Sequence, residues 1–265
     1  MSLTARILGC GSSGGVPRIG NNWGDCDPDN PLNRRTRCSM LLQRTGPGGV
    51  TNVLIDTSPD IREQLLAAEV DHMDAVLYTH AHADQCHGID DLRALALISR
   101  SRVPVWADEA TRELLLMRFG YCFKTPPGSP YPPILDMHLL NAGEAVTIDG
   151  PGGPIKAMPF EVDHGSIIAL GFRVEGLAYT PDMNGVPESS MPYVEGLNCW
   201  VIDALRRTPH PSHFSLEESL AMIERTTPES AVLTNMHVDL DHGALSTELP
   251  DHIRPAHDGM VLDIL

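Results

Sequence analysis

Short apolar runs separated by polar turns recur along the whole chain. Ala5–Leu8, Ser39–Leu42, Val53–Asp56, Ala75–Tyr78, Ile155–Val162, Ile167–Val174, Cys199–Ile202 and Ala231–Thr234 read as β-strands. Four other stretches read as helices: Asp60–Ala68, Ile89–Ile98, Glu109–Met117 and Ser215–Arg225. The last also carries a start signal, because Ser215 followed three residues on by Glu218 makes a capping box. Glycine and proline are plentiful but spread out, as many short elements joined by tight turns require.

The first half passes from strands to strand–helix alternation, and the second half returns to strands before a late helix. Such an order fits mixed sheets with helices on their outer faces better than one parallel doubly wound sheet. The residues able to do chemistry fall just after strands: Asp56, His80–Asp84, His164, Asp182 and Asn235–His237. Loops at strand ends are where function concentrates, so one site assembled from five loops is expected.

Composition narrows the field. A chain of 265 residues without repeats or a long linker is expected to form one α/β domain spanning 1–265. Acidic residues outnumber basic ones by 35 to 19, giving a net charge of −16. That surface repels long polyanions, which argues against general nucleic-acid binding but leaves room for one small phosphate ester. The amino-terminal MSLTARILGCGSS lacks a basic region followed by an apolar core, and no apolar run approaches the ~20 residues of a membrane span. Six scattered cysteines point to reduced thiols, so a cytoplasmic location is expected. Exposed apolar stretches such as Met117–Tyr121 are compatible with a homodimer interface or a lid.

His80, His82 and Asp84 alternate directly after the strand Ala75–Tyr78. If the backbone stays extended, side chains two apart point the same way, and all three can converge on one ion. Imidazole and carboxylate together suit zinc, manganese or iron, and a catalytic metal needs only three or four protein ligands.

The run Thr79–Asp84 followed by Gly88 resembles the signature of the metallo-β-lactamase superfamily, as do Leu8–Pro17 and Asp56. More narrowly, the sequence is similar to the branch containing tRNase Z and the cyclic-phosphate phosphodiesterase of the carbon–phosphorus lyase pathway. The resemblance implies a four-layer αββα sandwich with metal at one edge between the sheets. It matches His80, His82 and His164 to the ligands of a first ion, Asp182 to a bridging carboxylate and Asp84 to a carboxylate on a second ion. Two departures stand out. Gln85 and Asn235 occupy positions where the family has second-metal histidines, with His87 and His237 each two residues further on. Amide oxygens are weaker ligands than imidazole and favour manganese or magnesium. The expectation is one firm divalent metal, Mn or Zn, and a second site that is weak or absent unless rescued, with His237 the better substitute. Only Cys26 falls where the phosphodiesterase branch clusters cysteines, so no structural zinc is expected.

The implied chemistry is attack on a small cyclic or nucleotide-like phosphodiester by water that a divalent ion has acidified. His213 resembles the non-ligand histidine that protonates the leaving group in this branch, and Asp84 joins it as a candidate catalytic residue. Arg93, Arg34 and Arg37 are candidates for gripping the substrate phosphate, since guanidinium offers a fork to paired oxygens. Two other readings stay open. The same fold hydrolyses carboxylic esters, thioesters or lactones, and a degenerate second metal site also suits a nucleotide-binding or metal-sensing protein.

Overall fold

The computed structural model describes residues 2–264, in which the apolar runs pair into two seven-stranded sheets. The first sheet takes β1 (Ser2–Gly9), β2 (Ser39–Gly46), β3 (Gly49–Ile55), β4 (Ala75–Leu77), β5 (Val103–Ala107) and β6 (Leu135–Leu139). The second takes β7 (Val146–Ile148), β8 (Ile155–His164), β9 (Ile167–Val174), β10 (Leu177–Thr180), β11 (Cys199–Asp203), β12 (Ser230–Thr234) and β13 (Ile253–Pro255). The closing strand β14 (Val261–Asp263) completes the first sheet against β1. Each sheet runs through three antiparallel pairings and then three parallel ones.

Residues of the central strands are buried on both faces, which is why their sequences read as unbroken apolar runs. Met40, Leu42, Val53, Ile55, Ala75 and Leu77 enter the core between the sheets, against Phe160, Phe172, Tyr179 and Trp200. The intervening Leu41, Leu54 and Val76 face the other way, into a second core with Ile61, Leu92, Leu95 and Leu115. That second core lies under helices α1 (Ile61–Ala67), α3 (Leu92–Ser99) and α4 (Glu109–Phe123); the four-residue α2 (Ala83–Cys86) precedes α3. A short α5 (Met191–Val194), then α6 (Leu216–Thr226) and α7 (His242–Glu248) accompany the second sheet. The layering is the four-layer αββα sandwich expected. Truncating a residue such as Leu54 to alanine costs roughly 2–5 kcal/mol.

Most elements fall where the apolar pattern puts them, and the differences have local causes. The helix expected over Ile89–Ile98 begins as a 3-10 turn, Ile89–Asp91, before α3. Helix α4 runs on to Phe123 past a kink at Phe119, with Asp108 capping its start by accepting from the Thr111 amide at 2.9 Å. Strands β6, β7, β10, β13 and β14 are short, three to five residues each, and give little periodic signal. No helix is long and apolar enough to cross a membrane among the described residues.

Candidate metal centre

The site forms where the loops after β3, β4, β8, β10, β11 and β12 meet. Asp56 follows β3 in a left-handed conformation (φ 64°) and its carboxylate accepts two bonds from Thr79, one from the amide and one from the hydroxyl, each 2.8 Å. Thr79 Oγ1 lies 3.0 Å from His80 Nδ1. Burial, only partly offset by the Thr79 bonds, pushes the Asp56 carboxyl up to about 8. Gly88 closes the loop, because a Cβ there would stand 2.0 Å from the Ser58 carbonyl oxygen.

The extended backbone expected through Asp84 stops at His82, which caps α2 (φ −67°, ψ 155°). Asp84 and Gln85 therefore sit on a helical turn, not on a continued strand. The histidines still converge. His80, His82 and His164 each bring one ring nitrogen within 4.8 Å of the others, and their ring centroids are 4.5–5.0 Å apart. His164, at the end of β8, has its Nδ1 2.6 Å from the Ser212 carbonyl oxygen, which leaves Nε2 open towards His82 Nδ1 at 3.2 Å. His80 Nε2 is buried and has no hydrogen-bond partner. Burial first, then the neighbouring imidazoles, lowers the proton affinity of His80 well below normal and draws His164 down to about 4. Neutral imidazoles with facing lone pairs and an orphaned buried nitrogen suit a divalent cation. Arg118 of α4 donates to the Ala81 carbonyl and steadies the loop from outside.

A second group adjoins the first: His164, Asp182 and His213 also bring ligand atoms within 4.8 Å of one another. His213 Nδ1 lies 2.7 Å from Asp203 Oδ2, and Asp203 also accepts from the Met183 amide. Burial raises Asp203 to about 6 against the pull of His213. Asp182 is fully buried, and burial together with Asp84 and Asp203 pushes its carboxyl well up. The amides of Gln85 and Asn235 reach Asp182 at 2.7 and 3.1 Å.

A cavity of about 140 Å³ opens beside these groups, lined among others by Ser12, Arg18, Asp84, Arg206, His210 and His213. His237 also lines it, but outside both donor groups, with Nε2 against Arg18 and Nδ1 3.2 Å from Asp239. His87 is exposed, its ring 5.5 Å from that of Phe119. The arginines singled out from sequence do not line this cavity. Arg37 pairs with Asp60 at 2.8 Å, Arg34 lies over Trp23, and Arg93 pairs with Asp90 beside a separate, larger groove. Sequence reasoning passed over Asp203, Arg18 and Arg206. Asp203 had a signal, an acid ending the apolar run Cys199–Ile202 just as Asp56 ends an earlier one.

Residues 51–236 match the family described as the beta-lactamase superfamily domain. The chain belongs to the β-lactamase superfamily. Among solved superfamily structures, a diphosphatase from the PhnP family is 36% identical, with a TM-score of 0.87 over 99% of this chain and 97% of that one. Zinc-bound PqqB from Methylobacterium extorquens (19% identical, TM-score 0.73, 98% and 99% covered) shares the fold. So does the short form of human tRNase Z (15% identical, TM-score 0.66, 99% of each chain covered). An octanoyltransferase of Porphyromonas gingivalis is 31% identical over 262 residues, 96% of this chain and 50% of its own length. This chain thus spans about half the length of the curated relative it matches.

Proposed function

We propose that this protein is a divalent-metal-dependent phosphodiesterase that cleaves a small cyclic or nucleotide-like phosphodiester. The observation that carries this reading is a cluster of three imidazoles next to a small cavity that His213, backed by the Asp203 carboxylate, lines together with Arg18 and Arg206. His80, His82 and His164, with Asp84 and Asp182 beside them, would hold a divalent ion, which would supply Lewis-acid chemistry toward water and a phosphoryl oxygen. Manganese and zinc are the ions this donor set suits.

The remaining steps belong to the chain's own residues. Ser212 and Thr79 fix the rings of His164 and His80, so that their Nε2 atoms stay presented. Asp203 accepts the Nδ1 proton of His213, which sets the tautomer and supports a positive ring. His213 Nε2 then gives its proton to the departing alkoxide. Arg18 and Arg206 form no ion pair among the described residues; Arg206 spends its donors on the carbonyls of Thr208 and Pro209. Their charge favours an anionic substrate on an otherwise acidic protein of net charge −16. The cavity volume and that charge together suit a small ester and disfavour a long nucleic acid. The 36%-identical relative described as a diphosphatase also favours phosphorus–oxygen chemistry.

Hydrolysis of a carboxylic ester or thioester is the competing reading, favoured by the relative named as an acyl transferase. Metal-depleted protein reloaded separately with Mn²⁺, Zn²⁺ or Fe²⁺ and offered bis-p-nitrophenyl phosphate, a ribose cyclic phosphate and a thioester separates the two. Turnover of the phosphodiesters is expected; preference for the thioester replaces the phosphoryl reading with the acyl one.

A further inference from the structure

The two amides that depart from the superfamily pattern face Asp182 as donors. Gln85 Nε2 lies 2.7 Å from Asp182 Oδ2, and Asn235 Nδ2 lies 3.1 Å from Oδ1 and 3.2 Å from Asp203 Oδ1. All four side chains are buried, Gln85 and Asp203 completely. An amide holding a cation must present its oxygen. Turning Gln85 to do so puts that oxygen 2.7 Å from an oxygen of Asp182, which beside a bound cation is an ionised carboxylate, and the contact is repulsive in a dry interior. The carboxylate therefore decides the amide's orientation, even though Gln85 Oε1 is left buried without a partner. The substitutes are also engaged elsewhere: His237 is held between Arg18 and Asp239, and His87 lies by Phe119. Meanwhile Arg18, on the wall of the same cavity, has an imidazole as neighbour, no carboxylate partner among the described residues, and a buried unpartnered Nε.

We propose that this centre works with a single ion, its second-cation position closed by the Gln85 and Asn235 amides, and that Arg18 supplies the second positive charge to the bound phosphoryl group. The amides act as positioning residues that hold the Asp182 carboxylate in place of a second metal. A guanidinium is a fitting substitute, since it is always charged and meets paired phosphoryl oxygens with a planar fork. The Arg18 part rests on the phosphoryl reading; the single-ion part does not.

Metal counting by emission spectroscopy on protein dialysed after saturation with Mn²⁺ or Zn²⁺ tests the closure directly, without any variant. About one retained ion per chain is expected, and two tightly held ions overturn the closure. The Gln85→His/Asn235→His double variant is expected to retain about two; an unchanged count in a folded double variant overturns the claim that the amides are what exclude the second ion. For Arg18, the probe is inorganic phosphate binding to the metal-loaded protein by calorimetry. Arg18→Ala is expected to weaken it by about 10-fold or more with the metal count unchanged, and Arg18→Lys to restore part of the loss. Phosphate affinity unchanged in Arg18→Ala overturns the cation's role. A thioester preference with one retained ion would sink the phosphoryl reading and leave the single-ion centre standing.

Discussion

Two neighbouring clusters of polar side chains, one of imidazoles and one of carboxylates, are finished in opposite ways. In the imidazole cluster of His80, His82 and His164, the outer nitrogens of His80 and His164 are tied to Thr79 and Ser212, one ligand nitrogen of each of the three rings lies near those of the other two, and His80 Nε2 is buried without any partner. In the carboxylate cluster of Asp182 and Asp203, every carboxylate oxygen meets a donor from Gln85, Asn235, Met183 or His213. The first is a polar arrangement completed only by something from outside; in the second the chain itself completes the carboxylates, and the Gln85 amide oxygen is left over. Buried polar groups without partners are expensive, so the unfinished cluster is where a ligand gains most free energy.

The strongest way to break that contrast is to remove an inward-facing ring. His80→Ala or His164→Ala is expected to abolish metal retention and lower the phosphodiesterase rate by at least ~10³-fold, read by metal counting and kcat/KM. A variant that keeps its ion shows that the cluster is not the holding site. His213→Ala tests the boundary between the clusters. It is expected to lower kcat by roughly 10²–10⁴-fold, with the metal count unchanged. Full activity in that variant removes His213 from proton transfer. Thr79→Val acts one bond further out, on the ring of His80, and metal affinity is expected to fall about 10–100-fold while the fold persists.

Smaller effects concern stability. Between the ordinary carboxylate range and about 8, the folded protein holds a proton on Asp56 that the unfolded chain releases. Folding therefore binds more protons in that window, and the Asp56 contribution falls as pH rises through it. Between pH 5 and pH 8 the stability of metal-free wild-type protein relative to Asp56→Asn is expected to fall, read from paired melting curves; a difference that stays constant with pH contradicts the assignment. Ser215→Ala removes one half of the capping box of α6 and is expected to cost about 1 kcal/mol in denaturant unfolding.

Much of this was legible in the sequence, for identifiable reasons. The long two-faced strands announce themselves because both sides are covered, and the capping box at Ser215 is present as its spacing predicts. His80, His82, His164, Asp182 and His213 come together because each ends or follows a strand of the sandwich. What stayed hidden depends on distance and direction. Helix α7 begins with His242 and Gly243 and has no apolar stripe to betray it. The partners of Gln85 lie 97 residues away, so no local pattern says whether its amide donates or ligates. In the sequence Arg93 stands out for following the metal loop and Arg34 and Arg37 for lying in a basic run, whereas Arg18 reaches the cavity beside His237, 219 residues away.

Gly88 sits where the ligand loop passes the turn after β3, too close to the Ser58 carbonyl for any Cβ. In a saturation library selected for function, this codon should therefore return glycine alone, even though it encodes no ligand and touches no substrate. Mutational intolerance at such a position reports clearance between two backbones, and a scan that equates intolerance with chemistry will misassign it.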